Sequence, residues 1–218
     1  MHVVVFGSGS GTNLEALLRA QRQHPFEIKA LFTDRECRLH EIGATANIPI
    51  IHHPFAQFSH TYNSPQGSLR SDYDAENARL LLTYAEHHGF FIDLIVLAGY
   101  MRLVHQPLLQ QFKNKILNIH PADLTKLTAT GQRRYVGAHA VRDALLAGET
   151  RTRSTVILVD EQVDNGPILV EGPWITYEEG FPITEERVRK HQEKQKTLSD
   201  WPACITAVSE ISQGRIEI

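Results

Sequence analysis

Asp93-Leu94-Ile95-Val96-Leu97-Ala98-Gly99 is the stretch of sequence that decides the fold. It is an unbroken apolar run between an aspartate and a glycine, and it lacks the polar alternation of a strand with one face in water. Strands that are buried on both faces show this pattern, and they are typical of parallel sheets covered by helices. The stretch therefore predicts a central strand of a parallel sheet, which Gly99 ends.

The flanking sequence alternates between short β-branched runs and longer stretches with helical periodicity. It predicts strands at residues 3–6, 28–32, 48–51, 115–119, 155–160 and 168–175, and helices at residues 13–21, 38–46, 71–88 and 138–147. Ser71 is the predicted cap of the helix at residues 71–88, and residues 54–68 and 122–137 are predicted loops. The tail after residue 184 is predicted to be helical, with a break at Trp201-Pro202. This order predicts an α/β fold, a mostly parallel, open, twisted sheet of Rossmann-like type with helices on both faces.

Length and composition set limits on the class of protein. A chain of 218 residues holds one substantial core, so we expect a single domain over residues 1–218. With 22 basic and 25 acidic residues the chain has no overall basic surface, which disfavours nucleic acid as a partner. No apolar stretch approaches the roughly 18 residues of a membrane span, and no secretory leader precedes the first strand. We therefore expect a cytoplasmic protein that does not bind membranes.

Cysteine and histidine positions give no sign of a metal. Cys37 and Cys204 are far apart in sequence, and we expect them to be free, buried thiols. The side chains within the pairs His52-His53 and His87-His88 diverge on either a strand or a helix. Neither pair has the spacing of metal ligands, so we predict that the protein binds no metal.

A glycine-rich loop, Gly7-Ser8-Gly9-Ser10-Gly11-Thr12-Asn13, lies between the first strand and the first helix. Backbone N–H groups and a helix N-terminus in this arrangement favour an anion such as a phosphate ester. A dinucleotide fingerprint is one alternative, because Asp34 follows at the distance of a ribose-binding acid, but Thr12 and Leu14 stand where its third glycine belongs. A purely structural turn is the other alternative.

Asn118 and His120 are one residue apart at the end of a predicted strand, so their side chains lie on the same face. Pro121 ends the strand, and ligands of open α/β sheets bind outside such strand ends. A histidine that exchanges a proton and an amide that donates to a developing oxyanion suit acyl transfer. Asp164, in a loop between two later strands, can bring a carboxylate that favours the imidazolium. The alternatives are a capped strand end and an ordinary turn.

Four sequence blocks in this order resemble the glycinamide ribonucleotide formyltransferases, which belong to the wider formyltetrahydrofolate-dependent superfamily. The blocks are residues 8–14 (SGSGTNL), 97–103 (LAGYMRL), 117–121 (LNIHP) and 163–167 (VDNGP). The Asn-x-His-Pro block and the distant aspartate are shared by the superfamily. The Gly-Thr-Asn loop singles out the ribonucleotide branch.

The resemblance implies a role for each block. It implies a phosphate-binding half, residues 1–100 approximately, and a folate-binding and catalytic half over the rest. The implied phosphate ligands are Gly11, Thr12 and Asn13, and the implied catalytic residues are Asn118, His120 and Asp164. The implied cleft for folate and substrate is lined by Arg70, Met101, Arg102, Leu103 and Val163.

The reaction that the resemblance implies is direct formyl transfer from 10-formyltetrahydrofolate, as cosubstrate, to the amine of glycinamide ribonucleotide, without a metal. Asn118 and protonated His120 stabilise the oxygen that becomes negative. Asp164 keeps His120 charged and helps to move a proton from the attacking amine to the folate nitrogen. We also expect a monomer or a weak homodimer.

Two departures from the family leave the acceptor amine open. The family follows its His-Pro with a short Leu-Leu-Pro stretch, where this chain has the longer loop of residues 122–137, and its ribose-contacting glutamate has no clear counterpart near residues 190–193. One alternative is transfer to another amine, such as an aminosugar nucleotide. Methionyl-tRNA is disfavoured by the charge and by the lack of the extra carboxy-terminal domain of that branch. A non-catalytic protein that binds folate or a phosphorylated metabolite is the third alternative.

Overall fold

A computed structural model describes residues 1–61 and 68–218. It divides into two compact units, Met1–Leu117 together with Ile218, and Asn118–Glu217. The single domain with halves that meet near residue 100 stays a prediction. We describe each unit by itself.

The first unit is built on parallel strands. They are β1 (His2–Phe6), β2 (Glu27–Thr33), β3 (Ile50–His52), β4 (Leu94–Leu97) and the beginning of β5 (Ile116–His120). The strand order is β3-β2-β1-β4-β5. Phe6 is paired with Phe32 on one side and with Leu97 on the other, so these three strands end at the same level. All four residues of β4 are buried, as its apolar run predicted.

The helices of the first unit are α1 (Thr12–Ala20), α2 (Leu39–Ala46), α3 (Phe55–Thr61), α4 (Leu69–His87) and α5 (Gln106–Gln111). Helix α3 corrects the loop predicted from residue 54, of which residues 62–67 lie outside the described residues. Its local sequence is a weak helix signal, but Phe58 is buried against the rings of His53 and Tyr73, and this contact favours the helix. The predicted cap is also wrong, because α4 begins after Ser68 and contains Ser71.

The second unit contains the end of β5 and the strands β6 (Arg151–Thr152), β7 (Thr155–Leu158), β8 (Ile168–Glu171) and β9 (Ile175–Thr176). Strand β7 lies between β5 and β8, and it pairs with β8 in the antiparallel sense. Residues 163–167 therefore connect two antiparallel strands, which is a local exception in a sheet that was predicted to be mostly parallel. The strand predicted over residues 168–175 is divided, since Pro173 has no N–H for a ladder and β9 pairs with β6 instead.

The helices of the second unit are α6 (Ala140–Leu146), α7 (Glu185–Gln195) and α8 (Trp201–Ser212), with a π-helical segment at Lys196–Asp200 between the last two. The predicted break at Trp201-Pro202 is therefore wrong. The N–H of Trp201 donates to the carbonyl of Lys196, five residues back, and Pro202 lies in the first turn of α8. A proline is tolerated at that position, and a wide π turn before it accommodates the ring.

The predicted fold class, an α/β fold with a mostly parallel sheet, is confirmed. The loop predicted at residues 122–137 is confirmed as well, and its one strand-like feature is an isolated bridge between Leu127 and Arg133. Among the helices of residues 1–61 and 68–218, none is both long enough and apolar enough to cross a membrane.

Candidate active site

Strand β5 presents the first two predicted catalytic residues at its carboxyl end. His120 is the last residue of the strand and is only 3% exposed, and Asn118 is half-buried. Pro121 follows directly and has no N–H to continue the ladder. The end of β5 thus places an amide and an imidazole on one face of the strand.

The turn after β7 presents the third residue. The backbone at Asp164 is left-handed, with a φ of 51°, and residues other than glycine rarely adopt this conformation. Two residues on, a Cβ atom at Gly166 would lie 1.7 Å from the carbonyl oxygen of Leu158. Only glycine fits against that carbonyl, so the Asp-Asn-Gly sequence gives the turn its shape and directs the carboxylate.

The three predicted catalytic residues lie together. The distance from Nδ1 of His120 to Oδ2 of Asp164 is 3.3 Å. The amide of Asn118 donates to Oδ1 of Asp164 at 3.2 Å, and the backbone N–H of Gly137 donates to Oδ2 at 2.8 Å. The carboxylate is therefore held by two side chains of strand β5 and by one backbone N–H of the loop of residues 122–137.

The charges of this group follow from its contacts. Burial alone would raise the pKa of Asp164, but the hydrogen bond and charge of His120, with the donors Gly137 and Asn118, outweigh burial and lower that pKa. On the other side of the ring, Nε2 of His120 lies 2.8 Å from the carbonyl oxygen of Tyr135. A carboxylate and a carbonyl can only accept, and an imidazole ring donates on both sides only when both of its nitrogens carry a proton.

The loop of residues 122–137 supplies contacts that the sequence did not reveal. Besides the Tyr135 carbonyl and the Gly137 N–H, it provides Arg133, whose guanidinium donates to the carbonyl oxygens of Asp164 and Gly166. The available signal was a basic residue in a loop without periodicity beside a candidate site. That signal does not say which group the arginine meets.

Helix α7 also contacts the residue that follows β5. The Gln195 amide donates to the Pro121 carbonyl at 2.6 Å, and its oxygen accepts from the buried Thr152 hydroxyl, which also lies 2.7 Å from Nε2 of His191. Burial raises the pKa of Asp200 nearby on the π-helical segment. His191 and Gln195 are four residues apart on one helix face, and this spacing was the signal that could have found them.

The glycine loop has the form of an anion site in the first unit. Gly11 has a φ of 68° at the start of α1, and a Cβ atom there would lie 2.5 Å from Cδ1 of Ile42. The first helical hydrogen bond runs from Glu15 to Gly11, so the N–H groups of Thr12 and Asn13 precede it and are not used in the helix. Oδ1 of Asn13 is buried without a hydrogen-bond partner among the described residues. The predicted phosphate ligands thus lie at one helix N-terminus.

Asp34 has a structural contact set that disfavours the dinucleotide alternative. Its side chain is buried, and it accepts from the Ser8 hydroxyl at 2.6 Å, from Arg35 at 2.8 Å and from Arg102 at 2.7 Å. Burial alone would raise its pKa, but these donors together lower it. The Ser8 oxygen in turn accepts from the N–H of Met101. The carboxylate therefore links the glycine loop to the chain after β4 and is not free for a ribose.

Four of the five predicted cleft residues line one cavity of about 200 Å³ in the first unit. The lining residues are Phe55, Arg70, Tyr73, Asp74, Met101, Arg102, Leu103 and His105. The Arg102 guanidinium lies 3.6 Å from the centre of the Phe55 ring, which fixes its position over an apolar wall. Val163, the fifth residue, is 47% exposed in the turn that carries Asp164 in the second unit.

Both cysteines are free, but only Cys204 is buried, and Cys37 is half-buried. The first unit also contains a group of potential metal ligands, Glu36, His40 and His52, whose ligand atoms lie within 4.8 Å of one another. Each Nδ1 atom lies 3.4 Å from a Glu36 oxygen. Pairing between the acid and the histidines accounts for this arrangement without an ion.

Known proteins similar to this chain are named as formyltransferases or as purine biosynthetic proteins. The model of the family described as formyl transferase matches residues 1–197. Phosphoribosylglycinamide formyltransferase of Mycobacterium tuberculosis is 36% identical over 172 residues, which cover 78% of this chain and 69% of that protein. The trifunctional purine biosynthetic protein adenosine-3 of Drosophila melanogaster is also 36% identical, over 78% of this chain and 11% of that protein.

Solved structures agree with the sequence relatives. Glycinamide ribonucleotide transformylase 1 of Symbiobacterium toebii superimposes with a TM-score of 0.81 at 30% identity, and the match covers 100% of this chain and 90% of that one. A match of this extent includes both units and the glycine loop. The chain belongs to the formyl transferase family, among the phosphoribosylglycinamide formyltransferases.

Proposed function

We propose that the protein transfers the formyl group of 10-formyltetrahydrofolate to the amine of glycinamide ribonucleotide, as a step of purine biosynthesis. The new amide bond forms as the bond to the folate nitrogen breaks, so formylglycinamide ribonucleotide and tetrahydrofolate are the products. The observation that carries the proposal is the buried imidazole of His120, which lies 3.3 Å from the Asp164 carboxylate beside the Asn118 amide. These residue types suit attack on a formyl carbon, where an oxygen becomes negative.

Asn118 and His120 supply the donors for that oxygen. One N–H of the Asn118 amide is used by Asp164, and the amide has a second. The Nε2–H of His120 is donated to the Tyr135 carbonyl, so the oxyanion takes over or shares this bond as charge develops. Donors already oriented in a site of low polarity stabilise a transition state more than water does.

Asp164 has the role of holding the charge on His120. Its lowered pKa keeps it ionised at neutral pH, and an ionised carboxylate at 3.3 Å favours the imidazolium. When the amine attacks, it loses a proton, and the folate nitrogen gains one as it leaves. Asp164 assists this transfer, directly or through a water molecule.

The two features of the first unit are assigned to the substrates. The N-terminus of α1 with Gly11, Thr12 and Asn13 binds the ribonucleotide phosphate, because unused N–H groups and the helix dipole attract an anion. Arg70, Met101, Arg102 and Leu103, which line the cavity of the first unit, are assigned to the binding of folate and substrate. Val163 in the second unit keeps the same assignment. The cytoplasmic location, the monomeric or weakly dimeric state and the lack of a nucleic acid or metal requirement remain predictions.

The experiment that tests the proposal is a spectroscopic assay of tetrahydrofolate release. Wild-type protein is given formyltetrahydrofolate with glycinamide ribonucleotide or with an aminosugar nucleotide, beside His120→Ala and, as a matched control, His87→Ala on the exposed end of α4. We expect the wild type to turn over only with the ribonucleotide. The rate of His120→Ala should fall about a hundredfold or more, whereas that of His87→Ala should not fall. Turnover only on the aminosugar nucleotide would contradict the acceptor, and full activity of His120→Ala would contradict the catalytic residue.

A further inference from the structure

Arg133 is the side chain of the 122–137 loop that meets the turn of Asp164. Its two terminal nitrogens donate to two carbonyl oxygens of that turn, Nη1 to that of Asp164 and Nη2 to that of Gly166 at 2.7 Å. Both acceptors are backbone atoms that flank the carboxylate, so the guanidinium contacts the frame of the turn and leaves the Asp164 carboxylate to His120, Asn118 and Gly137.

This turn needs an external support. Asp164 has a φ of 51°, and a left-handed backbone costs a non-glycine residue about 1 to 2 kcal/mol. Such a conformation persists where the surroundings determine it. A planar guanidinium that donates to two carbonyl oxygens of one turn fixes their separation and direction, whereas a lysine ammonium lacks this fork.

The segment that carries Arg133 also contacts the catalytic pair directly. Two residues later the Tyr135 carbonyl accepts from Nε2 of His120, and four residues later the Gly137 N–H donates to Oδ2 of Asp164. Residues 133–137 therefore contact both members of the pair. The hydrogen bonds of Arg133 hold the start of this segment against the turn, and they thereby set the distance between the Asp164 carboxylate and the His120 imidazole.

We propose that Arg133 is a positioning residue for formyl transfer, which holds Asp164 and the 133–137 segment in register so that the carboxylate keeps His120 charged and oriented. The inference rests on the proposed function and deepens it. It gives a role to the loop of residues 122–137, in which this chain departs from the family pattern: the loop supports the catalytic pair of the second unit. Arg133 itself touches no reacting atom in this assignment.

The chain offers a matched control in the next residue. Arg134 has the same side chain in the same loop, but it is exposed, and its guanidinium lies 5.3 Å from the Tyr135 ring, which is an ordinary surface contact. A comparison of Arg133→Ala, Arg133→Lys and Arg134→Ala separates the loss of the forked guanidinium from the loss of positive charge. The full chain is used throughout, with thermal unfolding to establish that each variant is folded.

Steady-state kinetics with both substrates gives the first readout. We expect kcat of Arg133→Ala to fall about 10- to 100-fold, because small displacements of catalytic groups have effects of this size. Both KM values should stay within about threefold, since binding groups are intact. Arg133→Lys should recover less than half of the loss, and Arg134→Ala should match the wild type. If Arg133→Ala does not fold, Arg133→Lys carries the same comparison.

Three results would overturn the inference. The first is a wild-type kcat in Arg133→Ala or, if that variant does not fold, in Arg133→Lys. The second is a rise in KM at unchanged kcat, which would indicate an arginine that binds substrate. The third is an equal loss of kcat in Arg133→Ala and Arg134→Ala.

A second readout does not depend on turnover. The imidazole N–H proton signals of His120, assigned by their loss in His120→Ala, should shift or broaden in Arg133→Ala and remain unchanged in Arg134→Ala. If the wild type transfers no formyl group to any acceptor, the proposed function fails, and this spectrum still decides whether Arg133 positions the pair. Unchanged His120 signals in Arg133→Ala would refute the inference whatever the activity.

Discussion

Nδ1 of His120 and Oδ2 of Asp164 lie 3.3 Å apart, although 43 residues separate the two in sequence, and both side chains are less than one-tenth exposed. A charged pair so far from water depends on each partner, because removal of one leaves the other charged and buried. Most of the chemistry proposed above depends on this pair, and so do the first two predictions.

Asp164→Asn tests the charge of the pair at nearly constant shape. Without the carboxylate the imidazolium of His120 loses its counter-charge, so we expect kcat to fall by roughly two to four orders of magnitude. Rate measurements at saturating substrates check this. Asp143→Asn on the exposed first turn of α6 is the control. A fall of less than about threefold would contradict the role of Asp164.

The lowered pKa of Asp164 predicts how stability depends on pH. The pKa of Asp164 in the folded protein lies below the value of about 3.9 for an unfolded aspartate. Its contribution to the free energy of unfolding is therefore complete above about pH 3.9 and is lost as the pH falls through the folded pKa. We therefore expect wild type to exceed Asp164→Asn in unfolding free energy near neutral pH and the gap to close in acid. Urea titrations from pH 7 to about pH 3 measure the gap. A gap that widens in acid would have the wrong sign.

Gly166→Ala tests the turn that places Asp164. The added Cβ would lie 1.7 Å from a backbone oxygen, Leu158 O, so the turn has to move. We expect a loss of about 2 kcal/mol or more in unfolding free energy, because the clash is with the main chain. Gly9→Ala meets no atom within 4 Å and should change stability by less than about 0.5 kcal/mol. Equal stability of the two variants would show that the turn is not constrained as described.

Asn13→Ala tests the phosphate site. Its Oδ1 atom has no hydrogen-bond partner among the described residues, so truncation should leave the unfolding temperature close to that of the wild type. The KM for glycinamide ribonucleotide should rise about tenfold, because the side-chain NH2 group of Asn13 can no longer donate to the charged phosphate. The KM for formyltetrahydrofolate should not rise. With glycinamide riboside, which lacks the phosphate, wild type and variant should be alike. A loss that persists on the riboside would place Asn13 elsewhere in the reaction.

Much of the fold followed from local patterns. The apolar run at residues 94–98 predicted a buried central strand, since a strand that is covered on both faces is apolar at every position. His120 before Pro121 fixed a strand end, because proline cannot donate to the ladder. Helix α3 and the uninterrupted α7–α8 were missed, since burial of Phe58 and a π turn before Pro202 override local preference.

The sequence by itself determined which residue types meet a ligand or a reacting group: an amide and an imidazole one residue apart, and a glycine loop before a helix. Their spacing along one element sets their direction, and this information is local. Only the tertiary structure decided what surrounds them: the 3.3 Å pair, the Arg133 fork on the Asp164 turn and the contacts that close off Asp34. Apart from the contact between the neighbours Asp34 and Arg35, these contacts join residues 26 to 68 positions apart. Their geometry depends on packing, which no short stretch of sequence encodes.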